Sequence, residues 1–506
     1  MTLRHACILA LLFFLPATGA AGATTPDESV GDNSDERIAQ RLERAIDPVV
    51  AEVMAEEHLP GAAVVVVREG RTEVARGYGL ADVAEHTAVD PHRTLFRIGS
   101  VSKALTALAI TRLADLGKVS LEGNVADYYA GFEDVPNTSG SRAPVRLWHL
   151  LTHTGGFDQV GIARHVWQLD RPLAERKALR PSLREFLQRG NLRRVSAPGE
   201  HFRYDTYGIT LTGVVIEDVT GQPYADAMQS VLFAPVGMTR TFVEVPPEFM
   251  ADLATGYGYD DGKYTPAPYE VYVTTPASSI DSTPADMGRL LEVLTGDGSD
   301  ALSRRAVLAV LAPQYRPHQG FPGITHGLFE NLTAHDRHPT RSIGHGGSML
   351  GYHTSLTLIP SLRAGVFVVT NRDPEAGGGP ISIHGRVLEA VLDVLHAPAS
   401  LPTWEVPGPG EQANLAPFAG GYAYGVFCHT CTAQEYERGG WRRGPLQEVR
   451  VEAGALIIGE RSYYAAAEPG MFVRSDGRQR VYFKRDASGQ VSSFSYDTSP
   501  DVFERQ

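Results

Sequence analysis

The apolar positions of this chain change period several times, and those changes mark out its elements. From Asp35 to about Glu57 the pattern is helical. It then gives way to "GAAVVVVREGRTEVARGYGLA", two β-rich runs around the turn "REGR", which reads as a hairpin. Between Ser100 and Leu116 the residues Val101, Leu105, Leu108, Ala109 and Leu113 recur at helical intervals, predicting a helix buried along one side. A middle region follows, with helical stretches such as "RPSLREFLQRG" and "GITLTGVVIEDVTG" between loops rich in Gly, His and Thr. The β signal returns in "GYHTSLTLIPSLRAGVFVVTN", two apolar runs joined at Pro360-Ser361, and "HGRVLEAVLDVL" closes the region as a helix. Strands at both ends with helices between them predict an α+β unit: an antiparallel sheet covered by helices, with a helical subdomain inserted.

The pattern breaks at "HAPASLPTWEVPGPGEQANLAP", where repeated Pro and Gly suit a linker rather than an element interior. Beyond it, "ALIIG", "RVYFKRD" and "VSSFSYD" alternate with turns, predicting a small all-β domain. The expected organisation is a flexible segment 24–36, an α+β domain over 37–396, a linker over 397–416 and an all-β domain over 417–506. A chain of 506 residues fits two folded units.

Residues 1–23 read as an export signal. Arg4 and His5 precede the apolar run Ala6–Leu15, and Ala21-Gly22-Ala23 makes a small-residue cleavage site, so the mature chain is expected to begin near Thr24 in the periplasm or outside the cell. No later stretch has the ~18 consecutive apolar residues of a membrane span. The formal net charge of −13 argues against a general nucleic-acid binder, because an acidic surface repels phosphate. Of the three cysteines, Cys7 leaves with the signal. Cys428 and Cys431 remain, in "CHTC". In an oxidising compartment a disulfide is the plain reading. A redox pair would need a helix start in a βαβ setting, and zinc would need about four ligands where only His429 is near.

The chemical signal lies in "FRIGSVSKALTALAI". Residues three apart share a helix face, so Ser100 and Lys103 can meet. A serine hydroxyl is a poor nucleophile alone, and a lysine beside it activates it only where the amine can take up the proton. The competing reading is an N-cap serine and a lysine that snorkels to water. Each other lysine, at 118, 177, 263 and 484, has a residue other than serine three positions before it. The histidines of "HLLTHTGGF", His149 and His153, are read as shaping a loop near the site; with His201 they make no metal motif, as there is no H-E-x-x-H, and there is no G-x-S-x-G elbow.

Taken in order, "LPGAAVVVVREGRTEVARGYGLAD", "TLFRIGSVSKALTALAI", "LLTHTGGF", "FRYDTYGITLTGVVIEDVTG", "APVGMTRT" and "GHGGSMLGY" resemble serine hydrolases of the class C β-lactamase and D-alanyl-D-alanine carboxypeptidase family, over roughly Asp35 to Leu395. The resemblance implies the β-lactamase/transpeptidase-like fold. It makes Ser100 the nucleophile, Lys103 its base, Tyr204 the tyrosine of a Y-x-N motif, and His345-Gly346-Gly347 the counterpart of K-T-G. It also implies an oxyanion hole from the backbone N–H groups of Ser100 and Ser348, and a substrate cradle including Thr206, Gly346 and Gly347. The C-terminal part resembles the lipocalin-like domains that follow some hydrolases of the family.

Two departures bear on substrate. Thr206 stands where most relatives have Asn, and a single hydroxyl cannot donate and accept from two separate atoms as a carboxamide does. His345 replaces a lysine, and a largely neutral imidazole attracts a substrate carboxylate less firmly. The expectation is an exported serine hydrolase cleaving an amide or ester through a Ser100 acyl-enzyme, a peptidase or esterase ahead of a true β-lactamase. The alternative is a non-hydrolytic penicillin-binding-like module that recognises peptides. The expected partner is a small-molecule or peptide substrate, with no metal, cofactor, nucleic acid or membrane span, and the oligomeric state is left open.

Overall fold

The computed structural model describes the chain apart from residues 1–31, 130, 133–134, 136, 159–165, 169, 189–191, 333–339, 373–381, 397–402, 408–413, 426–428, 430 and 432–444. The export signal and Cys428 therefore lie outside the described residues.

The described residues open with helix α1 (Asp32–Glu56), which starts within the segment expected to be flexible. It leads into the hairpin of β1 (Gly61–Arg68) and β2 (Arg71–Asp82), followed by the short β3 (Thr87–Ala88). Helix α2 (Val101–Asp115) and a helical region that includes α3 (Tyr207–Thr220) come next, then α4 (Pro284–Thr295). The sheet is completed by β4 (Phe329–Leu332), β5 (Arg341–Met349), β6 (Tyr352–Ile359) and β7 (Ala364–Thr370), and α5 (Ile383–Val394) closes the unit. The strand order is β3-β2-β1-β7-β6-β5-β4, with every neighbouring pair antiparallel.

The unbroken apolar run of β1 has a simple cause: both faces of the strand are covered. Val64 and Val66 pack with Leu42, Ile46 and Val50 of α1 and Val387 and Val391 of α5. Val65 and Val67 face the other way, into the main core with Leu290 and Leu291 of α4 and Phe367 of β7. A strand buried on both sides loses the alternation that a one-sided strand shows. Each fully buried valine contributes about 1.5–3 kcal/mol relative to exposure.

Helix α2 corrects one expectation. Rather than one buried side, it has every residue from Val101 to Thr111 buried. It runs between β5 and β6 of the sheet and the helical region containing α3, so only its last turn, at Arg112, Ala114 and Asp115, is partly exposed. Its Lys103 and Ser102 are thus buried polar groups that need partners.

The C-terminal part is a closed eight-stranded antiparallel barrel: β8 (Gly420–Tyr424), β9 (Gln447–Glu452), β10 (Ala455–Ile458), β11 (Arg461–Ala465), β12 (Met471–Arg474), β13 (Arg480–Arg485), β14 (Val491–Tyr496) and β15 (Phe503–Arg505). Closure comes from β15 on β8, with Tyr422 opposite Arg505 and Tyr424 opposite Phe503. Tyr422, Tyr463, Phe472, Phe483 and Phe494 cluster with Phe418, so this small barrel is filled by its own side chains. Within the linker, the Trp404 N–H bonds Gly477 O at 2.8 Å and its ring lies 3.4 Å from the Arg480 guanidinium, which ties that part of the linker to the barrel.

Candidate active site

The turn before α2 is held from below by a three-stranded ribbon. Phe96–Arg97 pairs with Ile280–Ser282, which pairs in turn with Thr241–Val243. Arg97, 1% exposed, lies 3.5 Å from the buried Asp281 carboxylate and over the Tyr269 ring, and Ile98 N–H bonds Ile280 O. This ribbon fixes Ser100 relative to the segment 277–280.

Ser100 occupies the N-cap position of α2, yet its side chain makes no cap hydrogen bond. Lys103 Nζ instead lies 3.1 Å from Ser100 Oγ and donates to Ala277 O at 2.9 Å. Ser102 is not a cap either: its Oγ accepts the Ile280 N–H at 3.0 Å. Capping, the competing reading of this motif, is thus absent from both serine side chains.

Tyr204 comes from the irregular segment before α3, and Lys103 Nζ stands 4.9 Å from its ring centroid. His345 sits on β5 with its ring 5.9 Å from that of Tyr204. Phe329 packs on both at 6.0 and 4.9 Å. His345 is buried, and its Nδ1 faces Gly346 O. Burial, helped by the nearby Lys103 charge, lowers its pKa to about 3, so the ring is neutral. Thr206 is buried at the N-cap of α3 and does not cap it with its hydroxyl. Asp205 does that work by accepting the Gly208 N–H.

Two glycines allow β5 to touch the Ser100 turn. A Cβ on Gly347 would stand 2.1 Å from Ile98 O and 3.1 Å from Ser100 N. One on Gly99, whose φ is +52°, would stand 3.0 Å from Ser348 N. The backbones at Ser100 and Ser348 are therefore brought side by side. Gly346 points away, with Thr354 O at 3.8 Å from a Cβ placed there.

Ser100, Lys103, Tyr204, His345, Gly347 and Ser348 thus converge from α2, the segment before α3, and β5. Residues 46–388 match the beta-lactamase family, which is more than half of the chain. The chain belongs to that family. Its members are serine hydrolases with the penicillin-binding-protein and β-lactamase fold. Among relatives, it is 32% identical to esterase EstB of Burkholderia gladioli over 250 residues, 45% of this chain and 57% of EstB. It is 27% identical to protein flp of Staphylococcus aureus over 205 residues, 40% of this chain and 39% of flp. The match therefore spans less than two thirds of either relative. Among solved structures, the octameric penicillin-binding protein homologue from Pyrococcus abyssi aligns over 90% of this chain and 98% of its own, with a TM-score of 0.57 and 22% identity. That likeness concerns fold.

His153 lies in the loop expected of it, whereas His149 sits in the short helix Leu147–Leu151 and helps cap its start. His149 Nδ1 accepts the Arg146 N–H, and burial lowers its pKa to about 4. His153, at φ +54°, accepts the Arg203 N–H on its carbonyl and the Asp205 N–H on Nδ1, so it underpins the segment that carries Tyr204. Burial also lowers the pKa of His201 to about 4. Cys431 is disulfide-bonded. No group of three or more His, Cys, Asp or Glu among the described residues is arranged to hold a metal ion, and none of their helices is long and apolar enough to cross a membrane. Sequence reasoning missed Ala277, Ser102's partner Ile280, and Phe329. Their sequence distance from Ser100 leaves no local pattern to find.

Proposed function

We propose that this protein is an acyl hydrolase that cleaves an ester or amide through a covalent intermediate on Ser100. The observation that carries the reading is the Lys103 Nζ to Ser100 Oγ contact, made by a serine whose hydroxyl caps nothing. With Lys103 in its amine form, the contact reverses: Ser100 O–H donates to Nζ, while an N–H of the amine stays on Ala277 O. Ser100 Oγ then bonds to the substrate carbonyl carbon, and its proton passes to Lys103. The carbonyl oxygen becomes an oxyanion facing the N–H groups of Ser100 and Ser348. Tyr204 relays the proton to the leaving oxygen or nitrogen, the bond to it breaks, and water releases the acyl group by the reverse proton path.

The neutral, buried His345 supports an ester or uncharged amide ahead of a β-lactam or a free C-terminal carboxylate, because no cation stands where a K-T-G lysine would. The test is incubation with a fluorophosphonate and a fluorescent penicillin, comparing wild type and Ser100→Ala by mass spectrometry. Phosphonate labelling confined to wild type is expected; equal labelling of the two proteins overturns the nucleophile assignment. Export is part of the same reading, supported by the signal-like N-terminus and the disulfide at Cys431. A secreted product whose first residue is near Thr24 is the expected result of N-terminal sequencing.

A further inference from the structure

The last strand of the barrel reaches the segment that carries Tyr204. Arg203 Nε and Nη2 donate to Glu504 Oε1 and Oε2 at 2.8 and 2.9 Å, a bidentate fork between the neighbour of Tyr204 and β15. Both side chains are nearly covered, at 8% and 13% exposure. Burial raises the pKa of Glu504, but hydrogen bonds and charge from His429 and Arg203 bring it down to about 2, so it is ionised. His429 continues the chain. Its Nε2 lies 3.3 Å from Glu504 Oε2, and its backbone N–H donates to the buried Asp158 Oδ1 at 2.7 Å. One residue before β15, Val502 is buried with Phe202 and Ile324, and the Tyr204 and Phe329 rings pack on that cluster.

Tyr204 needs such support. Residues 201–205 belong to no helix or strand, so no ladder fixes the phenol. Its position follows from its neighbours: Phe202 on Val502, Arg203 on Glu504 through its side chain and on the His153 carbonyl through its backbone N–H, and Asp205 on Gly208 and His153 Nδ1. The planar fork of a guanidinium on a carboxylate fixes direction as well as distance, which a lysine in its place would not.

We propose that the C-terminal barrel is a working part of the active site: Glu504, acting through Arg203, positions Tyr204 beside Lys103. Glu504 and Arg203 are positioning residues that touch neither substrate nor Ser100. The inference rests on the reading of Tyr204 as the proton relay to the leaving group. A purely adhesive clamp would lower stability and the fraction of active sites, leaving each intact site as fast as before. A positioning clamp alters the turnover of each site, and most for substrates whose leaving group needs a proton.

The experiment uses the full chain with Glu504→Gln, Arg203→Lys and Tyr204→Phe, active sites counted by fluorophosphonate titration. Single-turnover acylation, which precedes the deacylation step that both substrates share, is measured on a p-nitrophenyl ester, whose leaving group departs without a proton, and on an alkyl ester of the same acid, whose leaving group does not. For both clamp variants, the acylation rate per titrated site on the alkyl ester is expected to fall on the order of 10–100-fold, as a displacement approaching 1 Å would produce. The fall in acylation by the p-nitrophenyl ester is expected to be under threefold, and Tyr204→Phe should show the same leaving-group dependence. A normal acylation rate per site on the alkyl ester, or equal losses on both esters, in a variant that folds overturns the inference while Tyr204→Phe remains impaired. A Tyr204→Phe enzyme with no leaving-group dependence overturns the relay reading and the clamp with it. Arg203→Lys keeps both charges and decides the matter should Glu504→Gln fail to fold.

Discussion

Gly347→Ala is the substitution for which the structure gives the firmest number. The added Cβ would lie 2.1 Å from Ile98 O, against about 3.3 Å for a normal carbon–oxygen contact. Ile98 cannot retreat easily, because its N–H is held by Ile280 O in the ribbon beneath. Strand β5 and the Ser100 turn must therefore part by about 1 Å, carrying Ser348 N away from Ser100 N. A 1 Å misplacement costs about 10²-fold, and loss of one oxyanion donor about 10²–10³-fold. The expected result is a fall in acylation rate of about 10²-fold or more, with overpacking costing only about 1–3 kcal/mol of stability. Single-turnover acylation by a p-nitrophenyl ester measures the first, and thermal unfolding the second. Gly346→Ala is the stability control: its Cβ meets nothing nearer than 3.8 Å, so its unfolding midpoint should match wild type. Acylation of Gly347→Ala at the wild-type rate would refute the placement of Ser348 beside Ser100 as an oxyanion donor.

Four further outcomes are expected. Lys103→Met should lower acylation of Ser100 about 10²–10⁴-fold, the range for loss of a general base, with phosphonate labelling as readout. Ser102→Ala leaves the buried Ile280 N–H without its acceptor, so denaturant titration should show a loss of about 1–3 kcal/mol. His345, with a folded pKa of about 3 against about 6.5 unfolded, stabilises the fold above the unfolded value and loses that contribution as pH falls toward 3. Between pH 8 and pH 5 the wild type should lose about 2 kcal/mol relative to His345→Gln in parallel unfolding curves. His429 has the opposite sign. Burial lowers its pKa, but hydrogen bonds to Asp158 and Glu504 outweigh this and raise it, so its contribution is full below the unfolded value and fades as pH climbs through the folded one. The stability gap between wild type and His429→Gln should be wider at pH 6 than at pH 9.

How far the sequence could be read depended on whether a contact was local. Ser100 and Lys103 lie one helical turn apart, so the spacing alone predicted their meeting, and the structure places them 3.1 Å apart. The β1–β2 hairpin is equally local, its two strands paired from Gly61–Gly79 to Arg68–Arg71. The all-round burial of α2 was different. Its apolar residues also satisfy a one-sided pattern, and only the packing of β5, β6 and α3 about it shows that Ser102, Lys103 and Thr106 are inside as well. Amphipathic periodicity measures which positions are apolar, not which polar ones have found buried partners.

The same limit explains why the barrel read as a separate unit. Its strands follow a linker rich in Pro and Gly, and its core of Phe and Tyr is its own. Nothing near Arg203 marks Glu504 as its partner, since a bidentate ion pair depends on tertiary placement and 301 positions separate the two. Yet this contact is among the most covered charge pairs outside the Arg97–Asp281 ribbon, and it adjoins Tyr204. Removing one member of such a pair leaves a buried charge uncompensated, at a cost of about 3–5 kcal/mol, far above the ~0–1 kcal/mol of a surface pair. A domain held on by surface pairs could drift without disturbing the catalytic unit. One held through a buried fork on the neighbour of Tyr204 pulls on a segment that otherwise rests on His153, and that coupling between barrel and phenol is what the clamp variants measure.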